Sequence, residues 1–595
     1  RRGGNARADI LRSVTHALAA RRGDLLAVAG AETGKILAEG DVEVSEAIDF
    51  AAWYADRAEE LEAVDGAQFV PPRVTVVTPP WNFALSITAG STLAALAAGS
   101  SVLLKPAPQA RYCAAVIAEC LWEAGIPQNV LQLVDVEENE VGKHLVSHPE
   151  VDRVILTGAW ETAKLFRSWR HDLPVLAETS GKNSIIVTEN ADYDLAAADI
   201  IKSAFGNAGQ KCSAASLIIL VGQAYRSKRL RHQILDAASS IRVGSPSDLR
   251  SQMGPLAEPA KGKLLDGLTK LDPGQVWALE PVRIDEEGRY WSPGVRGGIK
   301  PGDQYHLTEY FGPITGIMYA PDLATAIEYQ NGTAFGLTAG LHSLDSSEIE
   351  FWAERVKAGN LYVNRGITGA IVGRQPFGGW KRSSVGPGAK AGGYHYLQVL
   401  GLWRRAEVTT PTPADRPGAL VEQFVGHVEG MITRDERAWL LDAVARDAHA
   451  WDEWFGRSTD IGGLERERNV LRYRPVSTQV RGCADATLVD VARVVAAGLL
   501  ATGGDISVSL DPSLDEGLGR ALRSVGVAVT TASDEDWYAS LGAGRVRLVG
   551  GNPSRAADEA DGDPDLALWA NEVTSAPQIE LLPFLREQSV SVTAH

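Results

Sequence analysis

Between Arg73 and Leu156 the sequence switches repeatedly between two periods. Val74-Thr75-Val76-Val77 reads as a buried strand, residues 87–98 as a helix, 101–104 as a strand and 112–124 as a helix. Residues 130–134 then read as a strand, 140–147 as a helix and 154–156 as a strand. Strands that alternate with helices form a parallel, doubly wound sheet, so the fold class is α/β. Upstream, residues 10–37 and 44–63 carry apolar residues at helical spacing, which predicts two long opening helices. Downstream, Ile185-Ile186-Val187, residues 217–221, 314–319 and Leu361-Tyr362-Val363 read as strands. Residues 195–205, 324–330 and 347–356 read as helices, so a second, mixed α/β lobe follows the first.

A chain of 595 residues, 45% hydrophobic and 22% charged, has room for several such lobes. Its net charge of −17 argues against a nucleic-acid or anionic-membrane surface, either of which needs a basic footprint. A small-molecule substrate is expected. The apolar run 93–104 is interrupted by Gly99, Ser100 and Ser101, and no run reaches the roughly 20 residues of a membrane span. Cys113, Cys120, Cys212 and Cys483 are too scattered for a disulfide framework and lack zinc-site spacing, which fits a reducing cytoplasm. The chain opens on Arg1, reads as helix almost at once and shows no signal-peptide core, so further residues are expected upstream.

Three short segments carry chemistry. In Gly206-Asn207-Ala208-Gly209-Gln210-Lys211-Cys212-Ser213 a cysteine follows a glycine-punctuated loop, and Lys211 with nearby backbone amides is expected to depress the thiol pKa, as a nucleophile requires. Most cysteines are instead buried and inert, which is the reading for Cys113, Cys120 and Cys483. In Leu176-Ala177-Glu178-Thr179-Ser180-Gly181 a carboxylate ends an apolar strand, where desolvation would suit it to act as a base. In Pro79-Pro80-Trp81-Asn82-Phe83 an amide side chain sits in a proline-fixed turn, able to donate to an oxyanion. Alone, Glu178 would read as a solvated strand end and Asn82 as an ordinary turn residue.

Together and in this order, the segments resemble the motif series of the aldehyde dehydrogenase superfamily. The series comprises Asn82, Lys105-Pro106, Thr157-Gly158, Glu178, Cys212, Glu309-Tyr310-Phe311-Gly312-Pro313 and Pro376-Phe377-Gly378-Gly379. The resemblance covers about residues 1–403. More narrowly, the stretch 368–393 and Ser213 resemble the glutamate-γ-semialdehyde (Δ1-pyrroline-5-carboxylate) dehydrogenase module of bifunctional proline utilization A proteins. The resemblance implies Cys212 as nucleophile, Glu178 as general base and Asn82 as oxyanion donor. It implies that Lys105, Thr157, Gly158, Glu309 and Phe311 bind the dinucleotide, and that Ser213, Gly369 and Ala370 anchor the substrate carboxylate. The implied cofactor is NAD, with NADP left open because Pro108 stands where many members carry a ribose-binding glutamate. FAD would belong only to an upstream proline dehydrogenase, attached or associated. Self-association into a homo-oligomer is expected by analogy. The alternatives are an aldehyde dehydrogenase for another small semialdehyde and a non-catalytic scaffold.

These readings divide the chain into a dinucleotide-binding domain (1–179), a catalytic domain (180–383), a closing segment (384–406), a Pro/Thr-rich linker (407–414) and a C-terminal domain (415–595). The last echoes the first: residues 97–106 resemble 501–512, and 153–158 resemble 545–550. Either two α/β units share a common pattern, or the C-terminal domain is a decayed copy of the dinucleotide lobe. In both cases Asp511 stands where Lys105 would be and would repel a phosphorylated cofactor. That domain is therefore expected to be structural and non-catalytic.

Overall fold

The computed structural model describes residues 3–593. Three helices open it where the sequence pattern predicts two: Gly4–Ala20, Arg22–Thr33 and Leu37–Leu61. The first interruption is at Arg21. The second is at Gly34, whose left-handed φ of 75° ends a helix that the periodicity alone would continue.

The first lobe is the expected parallel sheet, built from Val74–Thr78, Ser101–Leu104, Leu131–Leu133, Arg153–Thr157 and Val175–Glu178. In space the order is fifth, fourth, first, second, third, and Ser384–Val385 pairs antiparallel beside the Glu178 strand. The direction of winding therefore reverses at Val74–Thr78. In doubly wound sheets, ligands bind beyond the carboxyl ends of the strands at such a reversal. The Asn82 turn follows that strand directly. The buried helix Ser86–Ala97 packs on Leu37–Leu61, where a Cβ on Gly90 would come within 2.7 Å of the Phe50 ring.

The second lobe is organised by a ten-stranded sheet, in the spatial order 459–460, 467–475, 585–593, 360–363, 338–342, 183–187, 215–221, 314–320, 294–299, 276–279. Its first three strands come from the region beyond residue 415. Leu585–Thr593 runs parallel to Asn360–Val363 and antiparallel to Glu467–Pro475. The C-terminal region is thus not a self-contained lobe, because part of it completes the ten-stranded sheet. The linker is also pinned: Asp65 accepts hydrogen bonds from the backbone and hydroxyls of Thr409 and Thr410.

The rest of the C-terminal region forms a five-stranded parallel sheet from Gln479–Gly482, Ser507–Leu510, Ala528–Thr531, Gly544–Val549 and Leu566–Trp569. Its spatial order is again fifth, fourth, first, second, third. Asp511 N–H donates to Gly482 O at 2.9 Å, as Lys105 N–H donates to Val77 O at 2.9 Å. The sequence echo thus has a topological counterpart, and Asp511 and Lys105 occupy matching positions. The Asp511 carboxylate is taken up locally, accepting from the Ser513 amide and hydroxyl. Among the described residues no helix is long and apolar enough to cross a membrane.

Candidate active site

A cavity of about 470 Å³ lies where the two lobes meet. Asn82, Lys105, Thr157, Gly158, Glu178, Cys212, Glu309 and Phe311 all line it. Residues spread over more than 200 positions of sequence thus converge on one space. Ser213, Gly369 and Ala370 do not line it: Ser213, next to Cys212 in sequence, is 3% exposed, and Gly369 is exposed with a φ of 81°.

The loop that carries Cys212 is shaped by its backbone. Asn207, Ala208 and Gly209 are all left-handed, with φ of 52°, 54° and 67°. Each such non-glycine residue costs about 1–3 kcal/mol and persists only where its surroundings hold it. A Cβ on Gly209 would strike the Gly312 carbonyl, so this close approach requires glycine. Downstream, Asn183 Nδ2 donates to Cys212 O (2.7 Å) and Ala214 O (3.1 Å), while its Oδ1 accepts from Thr338 N–H. Asn82 Nδ2 donates to Gln210 O at 3.2 Å, which ties the oxyanion candidate to the same loop.

Lys211 does not face the thiol as a depressing charge. Its ammonium pairs with Glu39 at 2.5 Å. Burial, followed by the carboxylates Glu178 and Glu309, pushes the Cys212 thiol up to about 12, against a smaller pull from the Ser213 amide. The expected depressed pKa is therefore corrected: the thiol rests neutral. Burial also raises Glu178, while Lys390 and the Ala391 amide oppose that shift. Among the described residues, Glu178 Oε1 is buried without a hydrogen-bond partner.

The dinucleotide candidates line the same cavity. Lys105 is 7% exposed, and its ammonium lies 3.4 Å from the exposed Glu138. Gly158 N–H donates to Glu178 O (3.0 Å), and the helix Trp160–Trp169 starts directly after it, with Ala159 and Thr162 in the wall. Glu309 Oε1 accepts from Gly181 N–H (3.0 Å), and Phe311, left-handed at φ 61°, meets Trp81 edge to face. Motif reading does not single out Glu46, Phe50 and Tyr54, which also line the cavity, nor the buried Lys35, whose ammonium donates to Asn82 O at 2.7 Å. All four lie in or beside a helix whose periodicity says only that one face is buried.

The fold and the cavity between its lobes are those of an α/β dehydrogenase. Residues 3–400 match the aldehyde dehydrogenase family model, and the chain belongs to that family, a family of oxidoreductases. Curated relatives include the 1-pyrroline-5-carboxylate dehydrogenase of Geobacillus sp. (strain WCH70), 36% identical over 413 residues, which are 66% of this chain and 79% of that protein. The 1-pyrroline-5-carboxylate dehydrogenase 2 of Bacillus subtilis (strain 168) is 34% identical over 398 residues, 64% of this chain and 76% of that one. Among solved structures, proline utilization A of Corynebacterium freiburgense is 42% identical with a TM-score of 0.87; it covers all of this chain, which spans 57% of that one. A 1-pyrroline-5-carboxylate dehydrogenase from Thermus with bound NAD is 32% identical with a TM-score of 0.64, over 68% of this chain and 81% of that one.

Proposed function

We propose that the chain oxidises L-glutamate γ-semialdehyde, formed by opening of Δ1-pyrroline-5-carboxylate, to L-glutamate with NAD. The observation that carries the chemistry is the convergence of Cys212, Glu178 and Asn82 on one cavity. The substrate and its place in proline catabolism rest on the relatives, which are named for that reaction. A proline dehydrogenase, attached or associated, with its own FAD, is part of the same proposal.

The cavity fits a dinucleotide. Lys105, buried and 3.4 Å from the exposed Glu138, would hold ribose hydroxyls, and the amides at the start of helix Trp160–Trp169, beside Gly158, would face a pyrophosphate. Glu309 and Phe311 would flank the nicotinamide end. Bound there, NAD supplies the hydride acceptor. The protein's own part begins as the neutral Cys212 thiol gives its proton to solvent water and its sulfur adds to the aldehyde carbon. Asn82 Nδ2 and the Cys212 amide hold the oxyanion. After oxidation leaves a thioester on Cys212, Glu178 takes a proton from water and the resulting hydroxide releases the carboxylate.

Cys212→Ala should abolish aldehyde oxidation and leave NAD binding nearly intact. Glu178→Gln should release one NADH per site and then stall as acyl-enzyme, visible by rapid quench. Retained turnover in Cys212→Ala would overturn the assignment. For the substrate, Ser213→Ala should lower kcat/KM for glutamate semialdehyde about 10-fold, the scale of a charge-assisted hydrogen bond, and leave propionaldehyde nearly unchanged. Equal losses on both would show that Ser213 only supports the Cys212 loop.

A further inference from the structure

The proposed mechanism leaves one buried cation beside the base unused. Lys390 is 1% exposed, and its ammonium donates to Asn360 Oδ1 and Gly378 O, each at 2.7 Å. Both acceptors are neutral, and an ammonium held only by neutral dipoles in the interior is costly. Two carboxylates offset that cost. Glu178 Oε1 and Lys390 Cγ each lie 3.2 Å from the point a Cβ would occupy on Gly378, so the absent side chain is what lets the two residues adjoin. From the other side comes Glu587, on the C-terminal strand Leu585–Thr593, whose Oε2 accepts from the Lys390 backbone N–H at 3.2 Å. Trp380 Nε1 donates to Glu587 O (3.0 Å) and fixes the strand at that point.

We propose that Lys390 is a positioning residue for thioester hydrolysis: held by Asn360 and Gly378 and balanced by Glu587, its ammonium keeps Glu178 ionised and in place to take a proton from water. The inference rests on Glu178 being the base. Charge counting supports it. One cation between two carboxylates gives the three groups a joint charge of −1, so the ammonium holds Glu178 ionised while Glu587 leaves it basic enough to take the proton; the negative charge then passes to the hydroxide and the total is unchanged. Without Glu587, the ammonium alone would face Glu178 and make it a weaker base. Burial raises Glu178 and lowers Lys390, and each charge opposes the shift of the other. The other titratable groups facing the cluster are Cys212 and Tyr396 beside Glu178, Tyr54 on helix Leu37–Leu61, and His395 and Tyr473 beside Glu587.

Rapid mixing of enzyme, NAD and aldehyde separates the steps. In K390M the first turnover should give a burst near one NADH per site, followed by a steady state at least about 10-fold slower than wild type at pH 7. The acid limb of its kcat profile should move to higher pH, so that activity recovers near pH 9. K390R should restore part of the loss. E587Q, which keeps the shape of the side chain, should show the same slow phase more weakly and carries the test if K390M does not fold. Loss of burst and steady state in proportion, or wild-type turnover in both variants, would overturn the inference. E178Q separates the two failures. If E178Q turns over normally, the base assignment falls and Lys390 falls with it; if E178Q stalls while K390M and E587Q do not, only the role of Lys390 is refuted.

Discussion

At the scale of single residues the site is defined by charge states that a motif does not disclose. Lys211 precedes Cys212 in sequence, yet it serves Glu39, and the thiol is raised by burial first and by Glu178 second. A raised thiol pKa means the neutral form dominates at pH 7, and the thiolate fraction grows tenfold per unit below the pKa. Alkylation of the wild-type enzyme by iodoacetamide should therefore accelerate about tenfold per unit from pH 7 to 9, without a plateau. Removing the neighbouring charge in Glu178→Gln lowers the thiol pKa, so alkylation at pH 8 should be several-fold faster. A plateau below pH 8, or a slower variant, would contradict this account. The meeting of Cys212, Glu178 and Asn82 on one cavity was legible in the order of their motifs. Their electrostatics were not, because these depend on which side chains the fold brings near.

At the scale of elements, helix Leu37–Leu61 shows what a periodic pattern hides. Its spacing marks a buried face, and that face holds Glu43 against Lys35, both side chains at most 2% exposed. Lys35 then supports the Asn82 turn through Asn82 O, while Glu43 Oε2 accepts from Leu85 N–H (3.0 Å) and Ser86 N–H (3.4 Å) at the start of the next helix. The pair orients the oxyanion turn from behind. Breaking a buried pair by removing one partner costs about 3–5 kcal/mol, because the other charge is left uncompensated. Lys35→Met should therefore lower the melting temperature strongly, and the double variant Lys35→Met/Glu43→Gln should regain most of it, since the glutamine oxygen still accepts from Leu85. A double variant no more stable than the single one would show that the ion pair is not what the helix contributes. The strands and helices read between Arg73 and Leu156 were legible to within a residue of their ends, because each has one clear period, whereas the helix Trp160–Trp169 was not read. The break at Gly34 was not, because glycine within a helical pattern is ambiguous until the chain around it is known.

At the scale of the whole molecule, the linker at 407–414 suggests a boundary that the sheet does not respect. The chain leaves the catalytic lobe, builds a second doubly wound sheet, and returns to insert Leu585–Thr593 between Glu467–Pro475 and Asn360–Val363. Local period identifies such a strand but not its partner, so this return was not legible. The register places Val590 opposite both Leu361 and Val470, and Val590 belongs to the same apolar cluster as Ile185, Leu217 and Tyr362 of the catalytic lobe. Side chains repeat the connection: Gln588 Nε2 donates to Ala358 O (2.8 Å), Ser589 Oγ to Pro376 O (2.7 Å) and Arg365 Nη1 to Ser591 Oγ (2.6 Å). Val590→Asp places an unpaired carboxylate in this interior, at a cost of about 3 kcal/mol or more. Thr530→Lys, on the exposed edge strand Ala528–Thr531 of the five-stranded sheet, meets no such interior. Val590→Asp should therefore lower the melting temperature and the aldehyde oxidation rate together, while Thr530→Lys changes neither. Full activity at assay temperature in a destabilised Val590→Asp enzyme would show that the C-terminal strand props the sheet without shaping the site. Equal losses in both variants would instead implicate the second doubly wound sheet as a unit.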